Sequence, residues 1–300
     1  MNTVAEASLS RKVVERASTG QRTRDLMFRL ALLASLSVGF VVLAALVIDV
    51  VSDGASKLSL DFLTSFPSRI SPENTGVESA LIGTVYLMIL CALFIVPVGV
   101  ATAVYLEEYA NRESRLSRLI EVNIQNLAAV PSVVYGILGL AFIVRGPLGL
   151  GPVLLAGALT LGLLVLPVVI IVSREAIRAV PSSIREGSLA LGATQWQTIW
   201  KQVLPGALPG VTTGVILALS RAIGETAPLL VIGAATFARF NPDGITDRFT
   251  AMPLAIFEFI SDADTDFRAA GAAAILVLLA LLVVMNAGAI FLRNRYERKW

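Results

Sequence analysis

Residues 79–106 read SALIGTVYLMILCALFIVPVGVATAVYL, 28 consecutive positions without Asp, Glu, Lys or Arg. A soluble domain does not normally leave a charge-free run this long, whereas an apolar helix of about 20 residues crosses the ~30 Å hydrocarbon core of a bilayer. Working outward, charge-free runs recur at residues 30–48 (19 positions), 122–144 (23), 146–173 (28) and 269–292 (24). The run at 146 opens with GPLGLGP, which reads as a turn. A sixth apolar run, from Val203 to Ala238, is interrupted by Arg221 and Glu225. Membrane-spanning strands alternate in polarity and number about ten residues, so these runs are helices. The expectation is an all-α integral membrane protein with six transmembrane helices near residues 27–51, 79–106, 122–144, 153–173, 207–236 and 269–292.

Composition agrees. Of the 300 residues 56% are hydrophobic and only 15% charged, against about 25% charged in soluble domains. The chain has no histidine and one cysteine, Cys91. That excludes Ser-His-Asp and Cys-His catalysis, His-ligated metal sites, a histidine proton relay and an intrachain disulfide. No metal, cofactor or catalytic residue is expected, and a net charge of +2 gives no argument for nucleic acid.

Basic residues set the orientation. Seventeen of the 24 Lys and Arg fall on the side of both termini, six on the opposite side, and Arg221 is the remaining one. Both termini therefore face the cytoplasm. The polar region before the first span is 29 residues long, and the apolar run after it exceeds the usual 7–15 of a signal peptide, so the first helix is read as retained. Residues 1–21 form a polar cytoplasmic head, and residues 22–300 one membrane domain.

In the first outer loop, Phe62, Leu63 and Phe66 are expected on the membrane surface or a partner. In the third, Asn241-Pro-Asp-Gly244 signals a turn, and residues 252–260 read either as an interfacial or re-entrant helix or as a packed outer helix. The inner loop at 174–205 carries more. A helix starts at Pro181-Ser182, with a serine cap and Glu186 in its first turn. A second runs from Gln195 to Gln202, with Trp196, Ile199, Trp200 and Val203 at helical spacing, closed by Leu204-Pro205. The two meet at Gly192, whose neighbours Ala190, Ala193 and Thr194 are small. This is either a surface hairpin packed under the membrane domain or a docking element for a cytoplasmic partner.

Arg221 and Glu225 are the chemical centre of the sequence. With a helix starting near Ala207, Arg221 lies about 21 Å along it, past the middle of the bilayer core. An arginine at mid-bilayer costs roughly 2.5–3.5 kcal/mol, so such a residue usually faces a cavity or a partner. The i, i+4 spacing puts both charges on one face. They read either as part of a substrate path, with Ser132 and Tyr135 as further lining, or as a structural ion pair. Pro228 predicts a kink beside them.

The inner loop resembles the EAA loop of bacterial ABC importer permeases, an E-A-A triplet followed by a glycine and closed by I-x-L-P. Glu186 matches the glutamate, Gly192 the glycine and Leu204-Pro205 the ending, while Gly187 and Ser188 replace the alanines and Gln202 the isoleucine. The resemblance implies that Glu186, Gly187, Ser188, Leu189, Gly192, Ala193 and Thr194 dock into an ATP-binding subunit. Ser65-Phe-Pro-Ser-Arg69, Tyr105-Leu-Glu-Glu-Tyr109, Asn126-Leu-Ala-Ala-Val-Pro-Ser-Val-Val-Tyr-Gly136 and Ala218-Leu-Ser-Arg-Ala-Ile-Gly-Glu-Thr-Ala-Pro228 resemble phosphate-uptake permeases of the PstA type, over residues 62–293. The resemblance implies a type I (MetI-like) ABC importer permease in the bacterial inner membrane, with inorganic phosphate as solute. It also implies partners: an ATP-binding subunit dimer, a second permease of the PstC type, an extracytoplasmic phosphate-binding protein and the lipid bilayer. No G-x-x-x-x-G-K-[ST] motif is present, so ATP hydrolysis is expected on a separate subunit and this chain is not an enzyme. The alternatives are a permease for sulfate or molybdate and, in another class, an ATP-independent carrier or channel. The latter would want more than one buried acid per path, and only Glu225 is available.

Overall fold

The computed structural model describes residues 19–111, 113–264 and 266–296. The polar head expected at 1–21 lies outside the described residues except for its last three, and so do the basic tail residues Arg298 and Lys299. The chain divides into two compact units, residues 1–49 and 50–300.

In the first unit the described residues belong to α1 (Thr19–Gly54), whose last turns continue into the second. Its Leu, Val and Phe side chains are exposed on every face, the pattern of a helix that meets lipid all round.

The second unit contains α2 (Leu60–Thr64), α3 (Glu78–Val104), α4 (Arg115–Ala128), α5 (Ser132–Leu138) and α6 (Leu154–Arg178). It continues with α7 (Ser182–Ala190), α8 (Gln195–Thr198), α9 (Leu204–Ala222), α10 (Ala227–Val231), α11 (Met252–Ser261) and α12 (Phe267–Tyr296). Wide, π-helical turns extend α3 through Tyr105–Tyr109 and α5 through Gly139–Val144, and join α8 to α9 through Ile199–Val203. No strand occurs among the described residues. Among the described residues five helices are long and apolar enough to cross a membrane, and a bent pair, taken as one span, brings the number up to six.

Three expected elements differ in form. The third span, read as continuous over 122–144, is two helices, α4 and the extended α5, meeting at 107°. Pro131 lacks an amide proton and biases the residue before it away from helix. The hydroxyl of Tyr135 donates to the carbonyl of Leu127 at 2.9 Å across the bend. With Arg115, Arg118 and Glu121 along it, α4 is an amphipathic helix suited to the interface. The fifth span begins earlier than the expected residue 207, because Leu204-Pro205 does not end the inner-loop helix. A proline removes one backbone bond and collides with the carbonyl four residues back. The wide turn relieves this: the amide of Leu204 reaches the carbonyl of Ile199, five residues back, and Pro205 sits in the first turn of α9. At its other end the span stops at Ala222 rather than running to 236.

At the centre of this unit α6 packs between α3 and α9. Leu161, Val165, Val169 and Ile177 are fully or almost fully buried along it. Lipid tails are as apolar as leucine, so membrane helices gain mainly by close packing, which small residues permit. A Cβ on Gly99 of α3 would stand 2.7 Å from Val169, and one on Gly214 of α9 2.6 Å from Val172, so the neighbouring backbones touch α6 on both sides.

The outer loops form a second, smaller core. Phe62, expected on a membrane or partner surface, is 4% exposed and packs with Val77, Met252, Phe259 and Phe267, and Leu63 packs against the same cluster. Residues 252–261 form the packed outer helix α11, lying on α3 and α12. The Asn-Pro-Asp-Gly turn is closed by Asp247, whose Oδ2 accepts from the amides of Asp243 and Gly244 at 2.9 and 2.8 Å. Thr84 of α3 accepts the Met252 amide at 2.8 Å, and a Cβ on neighbouring Gly83 would meet the Thr250 carbonyl at 2.1 Å. That obstacle is backbone and cannot rotate away. Gly83→Val should lower stability by about 1–3 kcal/mol, the usual cost of overpacking, read as a lower thermal midpoint in detergent.

Candidate functional site

Arg221 lies in the last turn of α9, where unpaired carbonyls favour a cation. Beyond it the ladder tightens and stops: the amides of Gly224 and Glu225 reach only to the carbonyls of Arg221 and Ala222, at 3.3 and 3.2 Å. Pro228 then falls in the first turn of α10, where a missing amide proton costs nothing. It therefore starts a new helix rather than kinking a continuous one. Across the break Arg221 Nε stays 3.4 Å from Glu225 Oε1, with the two side chains 42% and 19% exposed. A pair this long and open is worth about 0–1 kcal/mol, so it holds the guanidinium loosely.

The break is carried on α5. A Cβ on Gly136 would meet Pro228 Cα at 2.8 Å and Val231 Cβ at 2.9 Å, so α5 and α10 touch backbone to backbone. This contact sets α5, which carries Ser132 and Tyr135, against α10, which follows Arg221 and Glu225 in the chain. Tyr135 is buried beside Gly136. Its proton is already committed to Leu127, so the ring can line a path while the hydroxyl holds the bend. Ser132, half-buried, stands one turn earlier on α5. Sequence reading missed a neighbour: Ser220, next to Arg221, donates to Asn286 Oδ1 of α12 at 2.9 Å. The signal was present, since Asn286 is the one amide in the run 269–292.

The inner loop folds as two short helices about Gly192. Gly192 has φ +84°, a left-handed conformation that favours glycine. The Ala193 amide bonds to Ser188 and the Gly192 amide to Leu189, closing α7 with a Schellman turn. Thr194 then caps α8 reciprocally with Gln197. Ser188 and Thr198 hydroxyls meet at 2.9 Å and staple the helices. The expected serine cap is absent: Pro181 precedes α7, and no side chain caps it. The expected face of α8 splits. Ile199 and Val203 turn inward, while Trp196 and Trp200 stay exposed, edge to face at 5.4 Å. Glu186, Gly187, Leu189, Gly192 and Thr194 are exposed, Ser188 and Ala193 intermediate. Leu191 is 90% exposed at the tip.

The family of binding-protein-dependent transport system inner membrane components matches residues 95–298. The chain is 36% identical over 226 residues to the phosphate transport system permease protein PstA 1 of Mycobacterium tuberculosis (strain H37Rv), covering 74% of this chain and 72% of that protein. It is 32% identical over 235 residues to the probable ABC transporter permease protein YqgI of Bacillus subtilis, covering 78% and 75%. The fold resembles a bacterial ABC transporter involved in alginate import (TM-score 0.63, 17% identity, 92% of this chain and 98% of that one). It also resembles the inward-facing MetNI methionine ABC transporter (TM-score 0.57, 17% identity, 72% and 94%).

Tyr135→Phe should remove the bond to Leu127 and cost about 1 kcal/mol. The check is a modest drop in the thermal midpoint with the protein still folded and inserted.

Proposed function

The chain belongs to the binding-protein-dependent transport system inner membrane components, and from that premise we propose that it is the PstA-type permease subunit of an ATP-driven importer of inorganic phosphate. Relatives named as phosphate permeases support the solute. The observation that carries the mechanism is the exposed α7–α8 hairpin, with Leu189, Leu191 and Trp196 open to solvent on a chain without a phosphate-binding loop of its own.

In this reading Glu186, Gly187, Ser188, Leu189, Gly192, Ala193 and Thr194 seat the hairpin in a cleft of the ATP-binding dimer. A second permease of the PstC type completes the path. Closure of the ATPases pulls the hairpins and swings the spans from inward- to outward-facing, and an extracytoplasmic binding protein then releases phosphate. Arg221 offers two parallel N–H donors to two phosphate oxygens. Glu225 occupies the guanidinium when no anion is present and repels the anion when it arrives. That keeps the site weak enough to release, as transport requires. Ser132 and Tyr135 line the path on α5. No covalent step takes place on this chain.

Arg221→Gln, in cells lacking the native chain, should reduce uptake of labelled phosphate about 10- to 100-fold, matching the roughly 1.5–3 kcal/mol of a hydrogen bond to a charged group. Normal uptake by an assembled variant makes the pair structural. Failure of the intact chain to restore uptake, with its partners present, overturns phosphate as the solute. Docking is tested at Gly187, where a Cβ meets nothing within 4 Å and the backbone is helical. Gly187→Trp should fold and insert but lose the ATP-binding subunit on purification, and unchanged co-purification refutes the docking assignment.

A further inference from the structure

Where α3 runs out at the cytoplasmic side, its wide turn presents two adjacent carboxylates, Glu107 and Glu108. They point to different elements. The side chain of Glu107 is 1% exposed, and its Oε1 accepts from Arg174 Nε and Arg178 Nη2 of α6, both at 2.8 Å. The side chain of Glu108 is 10% exposed and holds the hairpin: its Oε1 accepts from Arg185 Nε at 3.0 Å and Nη2 at 2.8 Å. Arg185 belongs to α7 and is shared a third way, donating to the carbonyl of Ile177 in the last turn of α6 at 2.8 Å and to that of Val180, just beyond α6, at 2.6 Å. On the other arm, Gln195 of α8 donates to the backbone carbonyl of Glu108 at 2.6 Å.

The rest of α7 provides little attachment. It has no fully buried residue; its apolar contact with the spans is Ile184, half-buried against the cluster of Ala103 and Ile177, and its polar tie to them passes through Arg185. A buried or half-buried charge released from its partner is left without compensation, which makes such a junction stiff. Successive residues of a helix point in different directions, about 100° apart in a regular α-helix, and in the turn at Tyr105–Tyr109 one carboxylate reaches α6 and the next α7.

We propose that Glu108 and Arg185 are positioning residues for transport, locking the α7–α8 hairpin to the inner ends of α3 and α6 so that hairpin and spans move as one body. The proposal rests on the reading of the hairpin as the ATPase-docking element. Glu107 joins α3 to α6, and Arg185 joins both to the hairpin. Removing the link leaves the α7 arm held by Ile184 alone and the hairpin attached chiefly through the wide turn into α9, so that it yields under the ATPases before the spans follow.

The test uses the whole importer in lipid vesicles, measuring ATP hydrolysed, phosphate moved and ATP-binding subunit retained. Glu108→Ala should keep the subunit and its hydrolysis while phosphate moved per ATP falls roughly 5- to 100-fold, the range of a coupling between sites. Glu108→Gln, whose amide oxygen still accepts from Arg185, should keep more of that ratio. An unchanged ratio in Glu108→Ala overturns the proposal, and so does loss of the ATP-binding subunit, which would make the turn a mere builder of the docking face. Should Glu108→Ala fail to fold, the intact chain decides. With Cys91→Ala, spin labels on Leu191→Cys and Tyr105→Cys should keep one separation through the nucleotide cycle. A separation that changes with nucleotide overturns the proposal. That measurement needs no solute, so an error in the phosphate assignment, visible as ATP hydrolysis without uptake by the intact chain, is told apart from an error in the junction.

Discussion

A peptide group in hydrocarbon has no water to bond, so each must be paired inside its own helix or shielded where the helix is interrupted. Every interruption in this chain is therefore a place where something else meets the backbone. Among the described residues the helices break off at Ala129–Pro131 and at Ile223–Thr226. These breaks lie on elements that touch: α5 follows the first break, α10 follows the second, and Gly136 lets their backbones meet. Arg221, Glu225 and Tyr135 sit beside these breaks, so the candidate path is built where the ladders stop.

Around the breaks the unit is rigid. α6 is covered on both faces by α3 and α9, with glycines at the close approaches. The outer loops add their own core of Phe62, Met252, Phe259 and Phe267. What remains loose is polar: the contact of Arg221 with Glu225 is 3.4 Å long and leaves the arginine side chain 42% exposed. A loosely held guanidinium inside a tightly packed frame suits a site that must bind an anion and let it go.

The inner surface reverses this arrangement. There the hairpin keeps its apolar tip in solvent; its α8 arm runs into α9 through buried Ile199 and Val203, and its α7 arm is held by half-buried Ile184 and by the short charge-assisted bonds of Arg185 to Glu108, next to the Glu107 cluster that joins α3 to α6. These bonds are directional and strong where partly desolvated.

Length and polarity of the apolar runs were enough to read helical spans, because a bilayer imposes one thickness on every chain that crosses it. The hairpin about Gly192 and the turn near residue 241 were also legible, being local chemistry of glycine, threonine, asparagine and aspartate. The pairing of Arg221 with Glu225 was legible from their i, i+4 spacing, although the helix ends at Ala222 and the contact is kept across the break. Other features depended on residues far apart in the chain. Phe62 and Leu63 look like surface residues until α11 arrives over them from 190 positions later, as the packing of Phe62 with Met252 shows. The bend at Pro131 and the passage of the helix through Pro205 depended on whether neighbours or a wide turn absorb a proline, and composition does not say. The roles of Glu107 and Glu108 were hidden because adjacent carboxylates at a helix end read as solvated charge. Only the packing of α3 against α6, and of the hairpin beneath both, brought arginines from 67 to 77 positions away to meet them. Sequence alone determined the membrane class, the apolar runs and the glycine-centred hairpin, but not the bounds and bends of the third and fifth helical stretches, since the former depend on local periodicity and on a solvent common to the whole chain. Tertiary structure alone decided which interrupted helices touch and which charges meet, since those depend on contacts between distant segments that no local pattern encodes.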